Sequence, residues 1–182
     1  MAAQYSPRRR RGPSALDMVR SLAPLVVLIL VMVWLSSPSD SDPVREIDPG
    51  PDLVYAASIA DFEVLAARNL PAGWRPTSAR VDPATDDGPV GITVGYVSPS
   101  QEFAQVVHSS VPQEQLLTGV LGEGYAEGGD ISVGGFGWRE LLTADGEQAL
   151  VRSTDGSTVI VTGSATEADL RLLAAALRPA GG

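Results

Sequence analysis

The sequence predicts an α+β protein: one transmembrane helix near the N-terminus, then one antiparallel β-sheet domain with flanking helices, the last of them C-terminal. Three observations carry this prediction. An uncharged apolar run, LAPLVVLILVMVWL from Leu22 to Leu35, follows a block of arginines. Two Asp-Gly pairs, Asp145-Gly146 and Asp155-Gly156, lie between apolar segments, and Asp-Gly supplies the positive φ angles of a tight hairpin turn. Near the C-terminus Leu170, Leu173, Ala174 and Leu177 recur at i, i+3, i+4 and i+7, the stripe of a helix packed on a sheet.

Residues 1–20 read as a basic cytoplasmic tail. Arg8, Arg9, Arg10 and Arg11 form a block, and Arg20 borders the apolar run. Residues 21–37 read as the span, about 17 residues or roughly 25 Å of helix, the short end of what crosses a bilayer. Leu22, Leu25, Val26, Leu28, Leu30, Val33, Trp34 and Leu35 are the anchoring side chains. Pro24 falls in the first turn, where its missing N–H costs nothing, and the amphipathic ring of Trp34 suits the far interface. A buried core helix does not fit such flanks. A cleaved signal peptide has a similar apolar stretch, but Ser37-Pro38-Ser39 is a poor cleavage site, so an uncleaved anchor is expected. Arginines stay on the cytoplasmic side, which sends the rest of the chain outward.

Charge follows the same division. Residues 1–20 carry a net charge of +4 and the remainder −13, for a total of −9 and a pI of about 4.5. Such a chain lacks the basic surface that nucleic acid demands, so no nucleic-acid partner is expected. The expected partners are the lipid bilayer, whose anionic headgroups suit the arginines, and beyond it another envelope protein or a small apolar ligand.

Residues 38–52 read as a Pro/Ser/Asp linker, an extended tether with little to bury. Asp40-Ser41-Asp42 is too short an acidic motif for a calcium loop. Residues 53–182 form the expected extracytoplasmic domain. LVYAASIADFEVLAARN reads first as helix, breaking near Asp61, with Phe62 to Leu65 extended. Leu70 to Trp74 is a turn into a strand that continues through Thr77 to Val81. Strands follow over Ile92–Val97 and Phe103–His108, then a short helix over Pro112–Leu121. A Gly-rich span, GEGYAEGGDISVGGFGW, reaches Trp138. The two Asp-Gly turns then divide three strands, about Gly137–Leu142, Gln148–Ser153 and Thr158–Gly163, into an antiparallel meander. Thr166 caps a helix through Leu177, with Asp169 in capping-box spacing and Pro179 ending it.

Three absences restrict the chemistry. There is no Cys, no Lys and a single His. Thiolate and zinc-thiolate sites, a Walker lysine, Schiff bases and two-histidine metal motifs are therefore closed, and neither cofactor, metal nor catalytic set is expected. His108 is the one group able to move protons near neutral pH, and a structural or surface role is the expected one. Gly122-Glu123-Gly124 follows a helix and not a strand, so turn roles outweigh a dinucleotide loop. Asp86, Asp87, Glu123, Glu127 and Asp130 fit a solvated acidic surface. Trp74, Phe103, Phe136 and Trp138 fit a core. The expectation is a non-enzymatic binding or interaction module of the cell envelope. Its competitors are an envelope hydrolase using His108 or a carboxylate pair, and a lipid or small-ligand carrier with a deep apolar cavity.

The segments FEVLAARNLPAGWRPTSAR, VGYVSPSQEFA and VRSTDGSTVIVTGSATEADLRLLAAAL, placed behind the basic tail and span, resemble an actinobacterial family of single-pass membrane proteins catalogued as domain of unknown function 4245. LPAGWRPTSAR and the GYVSP segment are the most specific parts. The resemblance implies an envelope protein with an extracytoplasmic domain, and carries over neither an activity nor functional residues. The all-arginine, alanine-rich usage also fits GC-rich genomes.

Overall fold

A computed structural model describes residues 45–83, 88–154 and 156–181. The residues read as basic tail (1–20), as span (21–37) and as the first part of the linker (38–44) lie outside the described residues. Among the described residues no helix is long and apolar enough to cross a membrane.

The first helix, α1 (Gly50–Ile59), starts with Pro51 in its first turn, within the stretch read as tether. The fold already holds the chain there, since Ile47 N donates to Pro76 O at 2.9 Å. Next come β1 (Leu65–Ala67), β2 (Arg75–Asp82), β3 (Gly91–Val97) and β4 (Phe103–Ser109). The short α2 (Gln113–Leu121) follows and ends at Gly122, whose φ of 78° supplies the left-handed exit. Then β5 (Ala126–Val133), β6 (Phe136–Leu142), β7 (Gln148–Thr154) and β8 (Ser157–Thr162) run as a meander into α3 (Glu167–Ala175) and β9 (Leu177–Pro179).

Seven strands form one antiparallel sheet in the order β2-β3-β4-β8-β7-β6-β5. This is the α+β architecture read from the sequence, with two differences. The Gly-rich span holds an unforeseen strand, β5, joined to β6 through Gly134 and Gly135 at φ 62° and 84°. The C-terminal helix stops at Ala175 and not at Leu177, because the chain turns to pair β9 with β1 in a separate two-stranded sheet. Arg68 N donates to Ala176 O and Ala180 N to Val64 O, extending that pairing at both ends. Leu177 is buried as predicted, but from a strand. Thr166 caps α3 as its spacing foretold, accepting from Asp169 N at 3.2 Å and donating to Asp169 Oδ2 at 3.0 Å.

Alternation decides which residues meet which layer. On the inner face Ile92, Val94, Val106, Leu150, Val159 and Val161 pack beneath Leu53 and Ala56 of α1, Leu170 and Leu173 of α3, and Leu65 and Leu177 of the small sheet. On the outer face Val107, Leu141, Ala149, Val151 and Ile160 meet Leu116, Leu117 and Leu121 of α2, with Val111, Val120 and Tyr125 at the margin. β8, with Val159, Ile160 and Val161 at its middle, is buried along its whole length on both faces. The edge strands both carry irregularities, β2 between Pro76 and Ser78 and β5 between Glu127 and Asp130, which discourage pairing with other chains.

Gly163, at φ 145°, lies against the Phe103 carbonyl and the Ala104 backbone, so a Cβ there meets both. Gly163→Ala is expected to cost about 3 kcal/mol through strain and overpacking. Gly137→Ala, which finds open space, is expected to change stability by less than about 1 kcal/mol. Urea unfolding of the two variants, compared at equal m-value, checks the difference.

Candidate functional site

His108 lies on β4 between Ile92 and Val159 of the neighbouring strands, and is 1% exposed. Its Nδ1 accepts the Leu65 backbone N–H at 3.2 Å, and its Nε2 stands 2.9 Å from Ser157 Oγ. A nitrogen that accepts carries no proton, so the neutral ring must hold its proton on Nε2 and donate to Ser157. The hydroxyls continue the chain: Ser157 Oγ lies 2.6 Å from Thr154 Oγ1, which donates to Ser157 O at 3.3 Å. Every donor in this relay has an acceptor. Phe62 packs on the ring at a centroid distance of 4.5 Å. Burial, and secondarily the charge of Arg152, pushes the His108 pKa down to about 4.

Ser157 beside a histidine has the look of a nucleophile and its base. Activation requires the imidazole to take the serine proton, and here the ring donates toward the serine instead. The group is a clamp between β1 and the large sheet.

The other candidates separate. Glu127 Oε1 lies 3.4 Å from Arg139, and Asp130 stands opposite Arg139 in the ladder. Glu123 lies exposed in the turn after α2, while Asp86 and Asp87 fall outside the described residues. Among the described residues no group of three or more acids and histidines could hold a metal ion. Gly122 and Gly124, at φ 78° and 84°, serve the exit from α2. Trp74 and Trp138 are core, and Trp74 meets Tyr96 edge-on at 6.3 Å. Phe103 and Phe136 correct the expectation of a core role, being 42% and 45% exposed.

The sequence did not reveal a concavity on the outer face of the sheet. On the outer face of β3 stand Gly91 and Thr93, residues too small to fill the space beside α2. This leaves a groove of about 400 Å³ lined by Arg80, Asp82, Thr93, Gln105, Ser109 and Gln115, with Leu116 and Val120 as its apolar wall. The signal was present in GITVGYV, where large apolar residues alternate with Gly and Thr. A second groove of about 370 Å³ lies at the other end of α2, near Phe103, Thr143, Glu147 and Thr162. Both open to solvent, and neither is the closed apolar chamber of a lipid carrier.

The family described as "Protein of unknown function (DUF4245)" matches residues 10–177. The chain belongs to this family. No curated protein matches it. Among solved structures the DUF4245 chain is similar to MucB in complex with MucA(peri), at 14% identity and a TM-score of 0.35. That match covers 66% of this chain and 37% of the other. A second match is the Pseudomonas aeruginosa MucA/MucB complex, at 16% identity and a TM-score of 0.35, covering 63% and 34%. The chain thus spans little more than a third of either, and the likeness is too distant to carry over a site.

The DUF4245 domain is expected to lose stability in acid through His108. The unfolded ring binds its proton near pH 6.5 and the folded ring near 4, so the unfolded state holds more protons between those values. The contribution, about 3 kcal/mol, is complete above pH 6.5 and is lost as pH falls toward 4. His108→Leu orphans the Leu65 N–H, costing roughly 2–3 kcal/mol at pH 7.5, and flattens this window of the profile. Denaturant unfolding of both proteins from pH 7.5 to 4 measures both effects.

Proposed function

We propose that this DUF4245 protein is a membrane-tethered binding module whose acidic domain stands outside the membrane and recognises an envelope partner without transforming it. The tethering half of this reading rests on the uncharged run 21–37 behind the arginine block, and on the contrast of +4 before the run with −13 after. The binding half rests on one observation, the open groove between α2 and β2–β4. Its polar side chains offer hydrogen bonds of both senses, and its charged pair, Arg80 and Asp82, is self-engaged at 3.3 Å. The imidazole lies outside it, in the interior. A surface so equipped holds a partner, yet brings no base to a nucleophile. An open, mixed groove suits the surface of another protein better than a small apolar molecule, which calls for enclosure.

Two measurements check the two halves. Protease added to intact spheroplasts is expected to release or digest residues 45–182; cleavage of the amino tail alone, with the domain protected, contradicts the orientation. A photoreactive residue at Gln105, in full-length protein in its own cells, is expected to give a discrete adduct. The same residue at Val54, exposed on α1, is expected to give none. Equal labelling at both positions, or none at either, contradicts the groove.

A further inference from the structure

β6 and β7 are paired only from Arg139↔Val151 to Leu142↔Gln148. Beyond that point Phe136–Trp138 continue pairing with β5 alone, and Arg152–Thr154 with β8 alone. The sheet therefore forks, and a notch of about 240 Å³ opens between the tines, lined by Asp130, Trp138, Arg139, Arg152 and Ser153. Three of these side chains are accounted for or acidic. Arg139 is 3.4 Å from Glu127, Ser153 Oγ donates to Gln113 at 2.7 Å, and Asp130 stands opposite Arg139.

Two donors at the fork find no acceptor among the described residues. The Arg152 guanidinium lies 4.0 Å above the Phe136 ring and 5.9 Å from that of Trp138. It is half-buried, burial lowers its pKa, and it joins none of the ion pairs among the described residues. Trp138 is 2% exposed, and its Nε1 is buried without a hydrogen-bond partner. A buried unmatched donor costs about 1–3 kcal/mol, and the ring that carries this one lies 5.9 Å from a half-buried guanidinium that joins no ion pair among the described residues. Both deficits are relieved by a single kind of group, one carrying negative charge on oxygen. The domain as a whole is strongly acidic and repels anions, so an anion found at this point is held by local contacts.

We propose that the fork between β6 and β7 is a binding site for an oxyanion, a carboxylate or phosphate group. Arg152 supplies the charge, the Trp138 indole N–H a hydrogen bond, and the Phe136 ring both holds the guanidinium flat and excludes water. This site is separate from the α2 groove and does not depend on the reading of that groove.

The test uses the full-length chain, labelled at its indole nitrogens, in nanodiscs of zwitterionic lipid. The Trp138 N–H resonance is followed during titration with inorganic phosphate, with acetate, and with a short peptide bearing a free or an amidated C-terminus. A saturable shift with phosphate or with a carboxylate is expected, and none with the amide. Phosphate acting alone identifies a phosphorylated ligand, and the free peptide acting alone a terminal carboxylate. Arg152→Gln is expected to weaken binding at least tenfold, whereas Arg80→Gln, in the groove, leaves it unchanged. Trp138→Phe keeps the ring without the donor and, read through the displaced signal of a fluorinated Phe136, is expected to weaken binding several-fold. Absence of a saturable shift with every oxyanion, or binding unaltered in Arg152→Gln, overturns the assignment.

Discussion

A nine-residue helix cannot cover a seven-stranded sheet. At 1.5 Å per residue α2 is about 13 Å long, while seven strands at about 4.8 Å spacing extend some 29 Å across. The inner face escapes this shortage because α1, α3 and the β1–β9 pair share the work of closing it. The outer face has α2 and the residues that flank it, Val111 and Tyr125, and so its apolar residues are concentrated there, on β4, β8, β7 and β6. Where the helix does not reach, β3 turns glycine and threonine outward, and a polar groove is the consequence. The open surface is thus written into the strand pattern and is not a defect of packing.

Closure of the inner face has its own requirement. The small sheet is only three residues wide on each strand, too little to stand alone. It is held by buried leucines and by the His108 ring, which gives the Leu65 N–H an acceptor inside the protein. A neutral imidazole meets this need well, since it accepts on one nitrogen and donates on the other, and Ser157 and Thr154 complete the relay. The same geometry that stabilises the ring as a clamp reverses the direction of proton flow that catalysis with Ser157 demands. Structure and chemistry here pull in opposite directions, and the hydrogen-bond directions decide for structure.

Local signals were the legible ones. Asp145-Gly146 and the Thr166–Asp169 box operate within a few residues, and each lies where its spacing put it. The strand expected over Thr158–Gly163 likewise falls within one residue of β8 (Ser157–Thr162). What escaped was what depends on distant partners. β5 is a strand because β6 offers it a ladder, against a glycine content that suggests a loop. β9 exists because Leu65 waits more than a hundred residues upstream, so the helical stripe that included Leu177 pointed to the correct burial by the wrong element. The groove and the fork depend on what the sheet leaves unpaired or uncovered, and no single segment carries that information.

The absence of cysteine makes the central claim directly measurable. A single cysteine at Arg80, in the groove, or at Val54, on the far face, can be challenged with a membrane-impermeant maleimide on intact cells and again after purification. The account predicts that Val54→Cys reacts in both settings, whereas Arg80→Cys is shielded on cells and becomes reactive once purified. Reaction of neither until the cells are broken, or equal reaction of both on intact cells, would contradict it.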